Sequence, residues 1–361
     1  QPIPTEDVTG NSSARWQFIS PVKAFDSAWG SGRLVGERSV RVSGLWSVGS
    51  APGVLTRLTA SGAPAAGYLT VHSCTTEPTG VASLTFPAGG TAIGTAPVTV
   101  EDGTICVTSN TPVNLTLEII AVRTAPGSNT GVGLRPIPAH RALDTRTTVR
   151  LTPGTQTSID ATTLGVTPGT QALSATISIV DPAAAGTLTL GLCGAGSWTV
   201  PTSRDRLSSF AIVMRVTTTG WCLTSNVATD VIVDITGIWT GTTGPVPIPT
   251  SRALDTRTPD GGNTPIGPTG RTIQIAGRNN VPTGTTAVIL AVTTISTDHE
   301  AIVFATPCGQ PRGTGVITAT NPNRITTVIA PTALAPDGTL CITTIHPTHL
   351  VIDVLAVDDE V

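Results

Sequence analysis

Gly186-Thr-Leu-Thr, running up to Cys193, and Gly220-Trp-Cys222 are the middle copy of a text that this chain writes three times. Gly67-Tyr-Leu-Thr precedes Cys74 and Thr104-Ile-Cys106 follows it, while a looser Glu300-Ala-Ile-Val precedes Cys308 and Thr339-Leu-Cys341 follows. Working outward, each copy closes on an apolar run that contains one acid. These runs are Asn114-Leu-Thr-Leu-Glu118-Ile-Ile, Asp230-Val-Ile-Val-Asp234-Ile-Thr and His349-Leu-Val-Ile-Asp353-Val-Leu. Each copy also opens on a proline-led segment carrying a cation, an acid and a hydroxyl: Pro21-Val-Lys23-Ala-Phe-Asp26-Ser27, His140-Arg141-Ala-Leu-Asp144-Thr145-Arg146 and Ser251-Arg252-Ala-Leu-Asp255-Thr256-Arg257.

The repeat length is 111 residues from Pro138 to Pro249 and 117 from Pro21 to Pro138, the size of one small domain. The expected organisation is an N-terminal extension over residues 1–17 and three repeats at 18–123, 135–239 and 247–357. Stretches rich in Thr, Gly and Pro near 124–137 and 240–249 read as short, semi-rigid linkers.

With 38 Gly, 29 Pro, one Met and 12% charged residues, the composition favours strands and turns over helices. Apolar runs such as Ala175-Thr-Ile-Ser-Ile-Val and Phe210-Ala-Ile-Val-Met are short and end at Gly, Pro, Asp or Arg. The expected fold class is all-β: three tandem antiparallel β-sandwich domains, jelly-roll or Ig-like, with one disulfide each. No apolar run approaches the ~18 residues of a membrane-crossing helix.

The cysteines pair within copies by position: Cys74 with Cys106, Cys193 with Cys222 and Cys308 with Cys341. Three evenly spaced pairs point to disulfides formed in an oxidising compartment. Zinc is the rival reading, but no copy carries CxxC or a histidine pair near its cysteines. The expected location is therefore extracellular or cell-surface, and the start at Gln1-Pro-Ile-Pro reads as a mature form whose signal peptide has been removed.

The Arg-Ala-Leu-Asp-Thr-Arg opening, the Gly-Tyr-Leu-Thr before a cysteine, the Val81-Ala-Ser-Leu-Thr-Phe-Pro-Ala-Gly-Gly stretch and the Val-Ile-Val-Asp-Ile-Thr-Gly close together resemble a repeat of secreted actinobacterial proteins. The likeness extends over nearly the whole chain beyond residue 17. Copy one departs from it, with Lys23 for the first Arg and Ala28 for the second, and copy three closes on Val-Leu-Ala. The resemblance implies extracellular, cell-associated modules without a settled catalytic role.

Alternation along the closing run puts Val231, Val233 and Ile235 on one face and Asp234 on the other, beside Ile232 and Thr236. A carboxylate on such a half-apolar face requires a partner. The first cation of the opening motif supplies one, so the expected structural clamps are Lys23 with Glu118, Arg141 with Asp234 and Arg252 with Asp353. Asp26, Asp144 and Asp255 are expected to accept local turn hydrogen bonds. Arg146 and Arg257, which copy one lacks, are candidate contacts to something outside the chain, together with Trp29 and Trp46.

No nucleophile elbow, HExxH, Walker loop or dinucleotide fingerprint is present, so no catalytic residue, cofactor or metal is assigned. His346-Pro-Thr-His349 has metal-like spacing but reads as surface histidines in a turn. A net charge of −3 and a single lysine, Lys23, disfavour nucleic acid. The functional expectation is a non-catalytic structural or adhesive surface protein, three sandwiches in a rod or compact cluster. It would assemble with itself as a homo-oligomer or filament, through strand addition by residues 1–17. The alternative partner is a cell-wall polysaccharide or surface glycan.

Overall fold

A computed structural model describes residues 15–30, 32–76, 81–125, 128, 130–204, 206–295, 298–313 and 315–358. Copy two shows the unit most plainly. Its strands are β8 (Leu134–Asp144), β9 (Gln156–Ile159), β10 (Ala172–Val180), β11 (Gly186–Leu192), β12 (Ala195–Thr202), β13 (Ser208–Arg215), β14 (Trp221–Ser225) and β15 (Asp230–Trp239). They form two four-stranded antiparallel sheets, ordered β13-β10-β15-β8 and β12-β11-β14-β9. Counted within the copy, the orders are 6-3-8-1 and 5-4-7-2, the connectivity of a jelly roll rather than of an immunoglobulin domain.

Copy three repeats it with β16 (Val246–Asp255), β17 (Arg271–Gln274), β18 (Ala287–Ile295), β19 (Ala301–Pro307), β20 (Thr318–Thr320), β21 (Ile325–Ala333), β22 (Thr339–Thr344) and β23 (His349–Val357), in sheets β21-β18-β23-β16 and β20-β19-β22-β17. Copy one has β1 (Trp16–Asp26), β2 (Leu34–Arg41), β3 (Gly53–Ser61), β4 (Gly67–His72), β5 (Leu84–Phe86), β6 (Thr91–Thr99) and β7 (Thr104–Arg123). There the seventh and eighth strands are one 20-residue strand that runs through both sheets and joins them. β1 begins at Trp16, inside the segment expected to stand apart, because Trp16 is fully buried and pairs with Arg123. Residues 1–14 of the expected N-terminal extension lie outside the described residues.

Each copy holds one disulfide, Cys74–Cys106, Cys193–Cys222 or Cys308–Cys341. Each ties the turn after the fourth strand to the seventh strand of the same sheet.

The three copies close on one another head to tail. The fifth strand of each packs on the sixth strand of the copy before it: β12 on β6, β20 on β13 and β5 on β21. The sixth strands β6, β13 and β21 also meet one another, which buries three sheet edges that would otherwise invite pairing. Side chains fix the register. Thr176 donates to the Ile317 carbonyl at 2.9 Å, Ser209 donates to Ala319 O and accepts from Ala319 N at 2.7 Å, and Thr85 accepts from Thr327 N at 2.8 Å. The Arg57 guanidinium lies 4.8 Å over the Trp198 ring. Gly315 is glycine because any Cβ there would run into the Ala139 carbonyl of the neighbouring copy.

One continuous core therefore runs through copies one and two and takes in Ile289, Ala291, Ile329 and Leu355 of copy three. Trp16 sits at its hub, 6.2 Å edge-on to Trp239, with its indole N–H on the Pro245 carbonyl at 3.1 Å.

Candidate functional site

The charged opening motif is the one constellation that recurs in all three copies, and the jelly-roll order explains where it lies. The first strand of each copy is the sheet edge beside the eighth, so the opening and closing motifs run side by side. In copy two a register shift between Val233 and Asp234 turns Arg141 onto the carboxylate. Arg141 Nε donates to Asp234 Oδ1 at 2.9 Å and Nη2 to Oδ2 at 3.2 Å, while Nη1 reaches Asp144 Oδ2 at 3.0 Å. Asp234 is fully buried and also accepts from Val316 N of copy three at 3.0 Å. The face expected to be half apolar is thus buried by the neighbouring copy.

Thr145 completes the clasp. Its hydroxyl donates to Asp230 Oδ1 at 2.8 Å and accepts from Val231 N at 2.9 Å, pinning the start of β15. Copy three repeats the arrangement. Arg252 holds Asp353 through Nε and Asp255 through Nη1 at 3.3 Å, and Thr256 accepts from Leu350 N at 2.9 Å. In copy one Ser27 takes the hydroxyl's place, accepting from Leu115 N at 3.1 Å.

The copy-one clamp differs from expectation. Lys23 and Glu118 are register partners, but Lys23 Nζ bonds Asp26 Oδ2 at 2.7 Å and Glu118 is held by Arg57 Nε at 2.6 Å. Arg57 stands on β3 opposite Glu118, where copies two and three carry Thr176 and Ala291. A lysine has a single charged point that its nearest acid takes, and the longer glutamate reaches across to the guanidinium on the other side.

Arg146 and Arg257 are tied inward as well. Each makes two side-chain bonds to the acid two residues earlier, at 2.9 and 2.7 Å in both copies, and the same acid accepts the arginine's backbone N–H. Asp26 accepts likewise from Ala28 N. Arg146 and Arg257 therefore complete the expected turn, and as external contacts they offer only the exposed side of a guanidinium already engaged.

In copies two and three the two acids of the clasp titrate in opposite directions. Arg257, with its side-chain and backbone donors, holds Asp255 down at about 2 against burial. Arg146 lowers Asp144 in the same way, and Lys23 lowers Asp26. Burial instead pushes Asp353 up to about 6 although Arg252 opposes it, and burial raises Asp234 despite Arg141. In copies two and three these carboxylates face guanidinium groups, so the arrangement fastens strands. The recess between copies two and three, lined by Ile137, Pro138, Ile317 and Pro331, has no ionisable side chain.

Trp198, Trp221 and Trp239 are buried, whereas Trp29 and Trp46 are 63% and 87% exposed. The Lys23 ammonium stands 5.9 Å from the Trp29 ring. Trp46 occupies a loop whose counterpart in copy three has Asn279 bonding back to the Arg252 carbonyl at 2.7 Å. His349 is drawn into the clasp, with Nδ1 at 3.0 Å from Thr256 Oγ1, while His346 stacks on His299 with ring centroids 5.0 Å apart. No group of three or more metal-ligating side chains occurs among the described residues.

No family model matches the chain, and no curated protein matches it. Two solved structures align along most of its length. One, from the atomic structure of Sulfolobus turreted icosahedral virus, is 10% identical at a TM-score of 0.18, over 95% of this chain and 89% of the other. The second comes from work on a triple jelly-roll fold and turret assembly in an archaeal virus; it is 12% identical at a TM-score of 0.18, over 95% and 90%. Likenesses this distant carry no functional weight.

Proposed function

We propose that this protein is a non-catalytic structural component of a cell surface or extracellular assembly, in which one chain supplies three jelly rolls already closed into a block. The supporting observation is that the repeated charged motif is taken up by internal bonds: strand-to-strand Arg-to-Asp clasps in copies two and three, with a bond to the next copy in copy two, and in copy one the Lys23–Asp26 pair with the Ser27 bond to Leu115 N. A catalytic site would leave one copy's acid, base or nucleophile unlike its counterparts and open to solvent. Three disulfides are compatible with an oxidising, extracellular setting, as is the resemblance of the repeat to secreted actinobacterial modules. Adhesion and filament formation belong to this reading as ways in which the block would act.

Electron microscopy and sedimentation of the purified chain, alone and with cell-wall material, test it. Ordered particles, or retention on the wall without chemical change to it, are the expected results. Turnover of a wall polymer by the pure chain would overturn the proposal.

A further inference from the structure

We infer that β2 is a docking edge for a second copy of this chain, paired antiparallel to itself about Ser39. The inference deepens the assembly reading and rests on it.

Other strand edges of the described sheets are closed in one of three ways. The sixth and fifth strands are packed on neighbouring copies. The first strands carry prolines, Pro21 in β1, Pro136 and Pro138 in β8, Pro247 and Pro249 in β16, and proline cannot donate to an added strand. Among the second strands, β9 and β17 are only four residues long. β2 has eight residues, no proline, and exposed residues from Val35 to Ser39 and at Arg41. Its one described strand partner is β7.

The sequence of β2 is self-complementary in that pairing. Opposed residues in an antiparallel ladder share a face, so a twofold axis at Ser39 sets Glu37 opposite Arg41 of the second copy, and Arg41 opposite its Glu37. These side chains lie on the outer face: Glu37 is 3.5 Å from His72, Ser39 lies beside the Cys74 sulfur and Arg41 Nε bonds Ser43 Oγ at 3.3 Å. The irregular step at Leu34 to Gly36 falls outside the paired stretch.

The exposed apolar residues bracket the same strand. Of the five large exposed hydrophobic residues among those described, Trp29 and Val35 lie at the entry to β2 and Trp46 in the loop after it. Antiparallel pairing sets the exit of one β2 beside the entry of the other, so Trp46 of each copy is brought towards Val35 and Trp29 of its mate. Two such patches enlarge what a five-residue ladder would bury alone.

Sedimentation of the intact chain over a range of concentrations tests the pairing with three variants: Glu37→Arg, Arg41→Glu and the double exchange. Circular dichroism and an unchanged thiol count confirm that each is folded. The wild type is expected to dimerise. Each single reversal sets like charges opposite one another twice by symmetry and weakens the dimer about tenfold, and the double exchange restores it. Larger assemblies unaffected by any variant would overturn the β2 pairing and leave the assembly reading standing. A chain monomeric throughout would overturn the β2 pairing, and retention on a wall polysaccharide that Trp46→Ala abolishes would then assign the tryptophans to a glycan.

Discussion

Asp234 is gripped from two copies at once: Arg141 of copy two holds both its oxygens, at 2.9 and 3.2 Å, and the backbone N–H of Val316 in copy three adds a third bond at 3.0 Å. Arg141→Ala strips a fully buried carboxylate of its only side-chain cation among the hydrogen bonds described, which costs about 3–5 kcal/mol for a broken buried pair. Replacing both partners, as in Arg141→Leu with Asp234→Asn, recovers most of that. Arg146→Ala leaves Asp144 its bond to Arg141 and costs under about 1 kcal/mol. Urea denaturation of the four proteins measures these differences, and equal losses for Arg141→Ala and Arg146→Ala would contradict the assignment of the buried clamp.

Copy three carries opposed acids whose pH dependence has a definite sign. Asp353 binds its proton more tightly when folded, at about 6 against an ordinary 3.8. Between those values the folded state holds the extra proton, so the stability from this group is full below about pH 4 and is lost as pH rises towards 6. Asp255, held down at about 2, contributes above about pH 4 and loses that contribution as pH falls towards 2. Thermal midpoints across pH 4 to 7 should therefore decline less in Asp353→Asn than in the wild type. Parallel curves would refute the burial argument.

The clasp hydroxyl is testable without touching a charge. Thr145 is 2% exposed and serves both as donor to Asp230 and as acceptor for Val231 N. Thr145→Val keeps the shape and strands the Val231 N–H, while Asp230 keeps its pair with Arg150 at 3.1 Å, at a cost of about 1–3 kcal/mol. Thr145→Ser keeps the oxygen and stays near the wild type. Hydrogen exchange at the Val231 amide locates the effect: it should quicken in the valine variant alone.

The Arg-to-Asp clasps of copies two and three were legible because the same two motifs recur at one spacing and alternation leaves an acid on a face that needs a cation. The partner of Glu118 was not, since Arg57 belongs to neither motif and only the β3–β7 register sets it opposite the acid. Closure of the copies was equally hidden. Its bonds come from Thr85, Thr176 and Ser209, which read as ordinary strand residues, and from backbone carbonyls that every sequence has. The choice of jelly roll over an immunoglobulin order also needed the sheets, because both orders produce the same short alternating runs.

Head-to-tail closure makes a single copy incomplete. Cut out as residues 133–244 with its disulfide intact, copy two would expose β13, in which Phe210, Ala211, Ile212 and Met214 are all under 9% exposed in the whole chain. Ala211 belongs to the core of copy three, and Ser209 loses both of its bonds to Ala319. A strand apolar on both faces with a free backbone edge pairs with whatever is at hand. The fragment is therefore expected to self-associate at micromolar concentration, and its β13 amides to exchange faster than in the intact chain, while adding copy three to it suppresses both effects. A monomeric fragment with full β13 protection would show that each jelly roll is self-sufficient and that the contacts between copies contribute little.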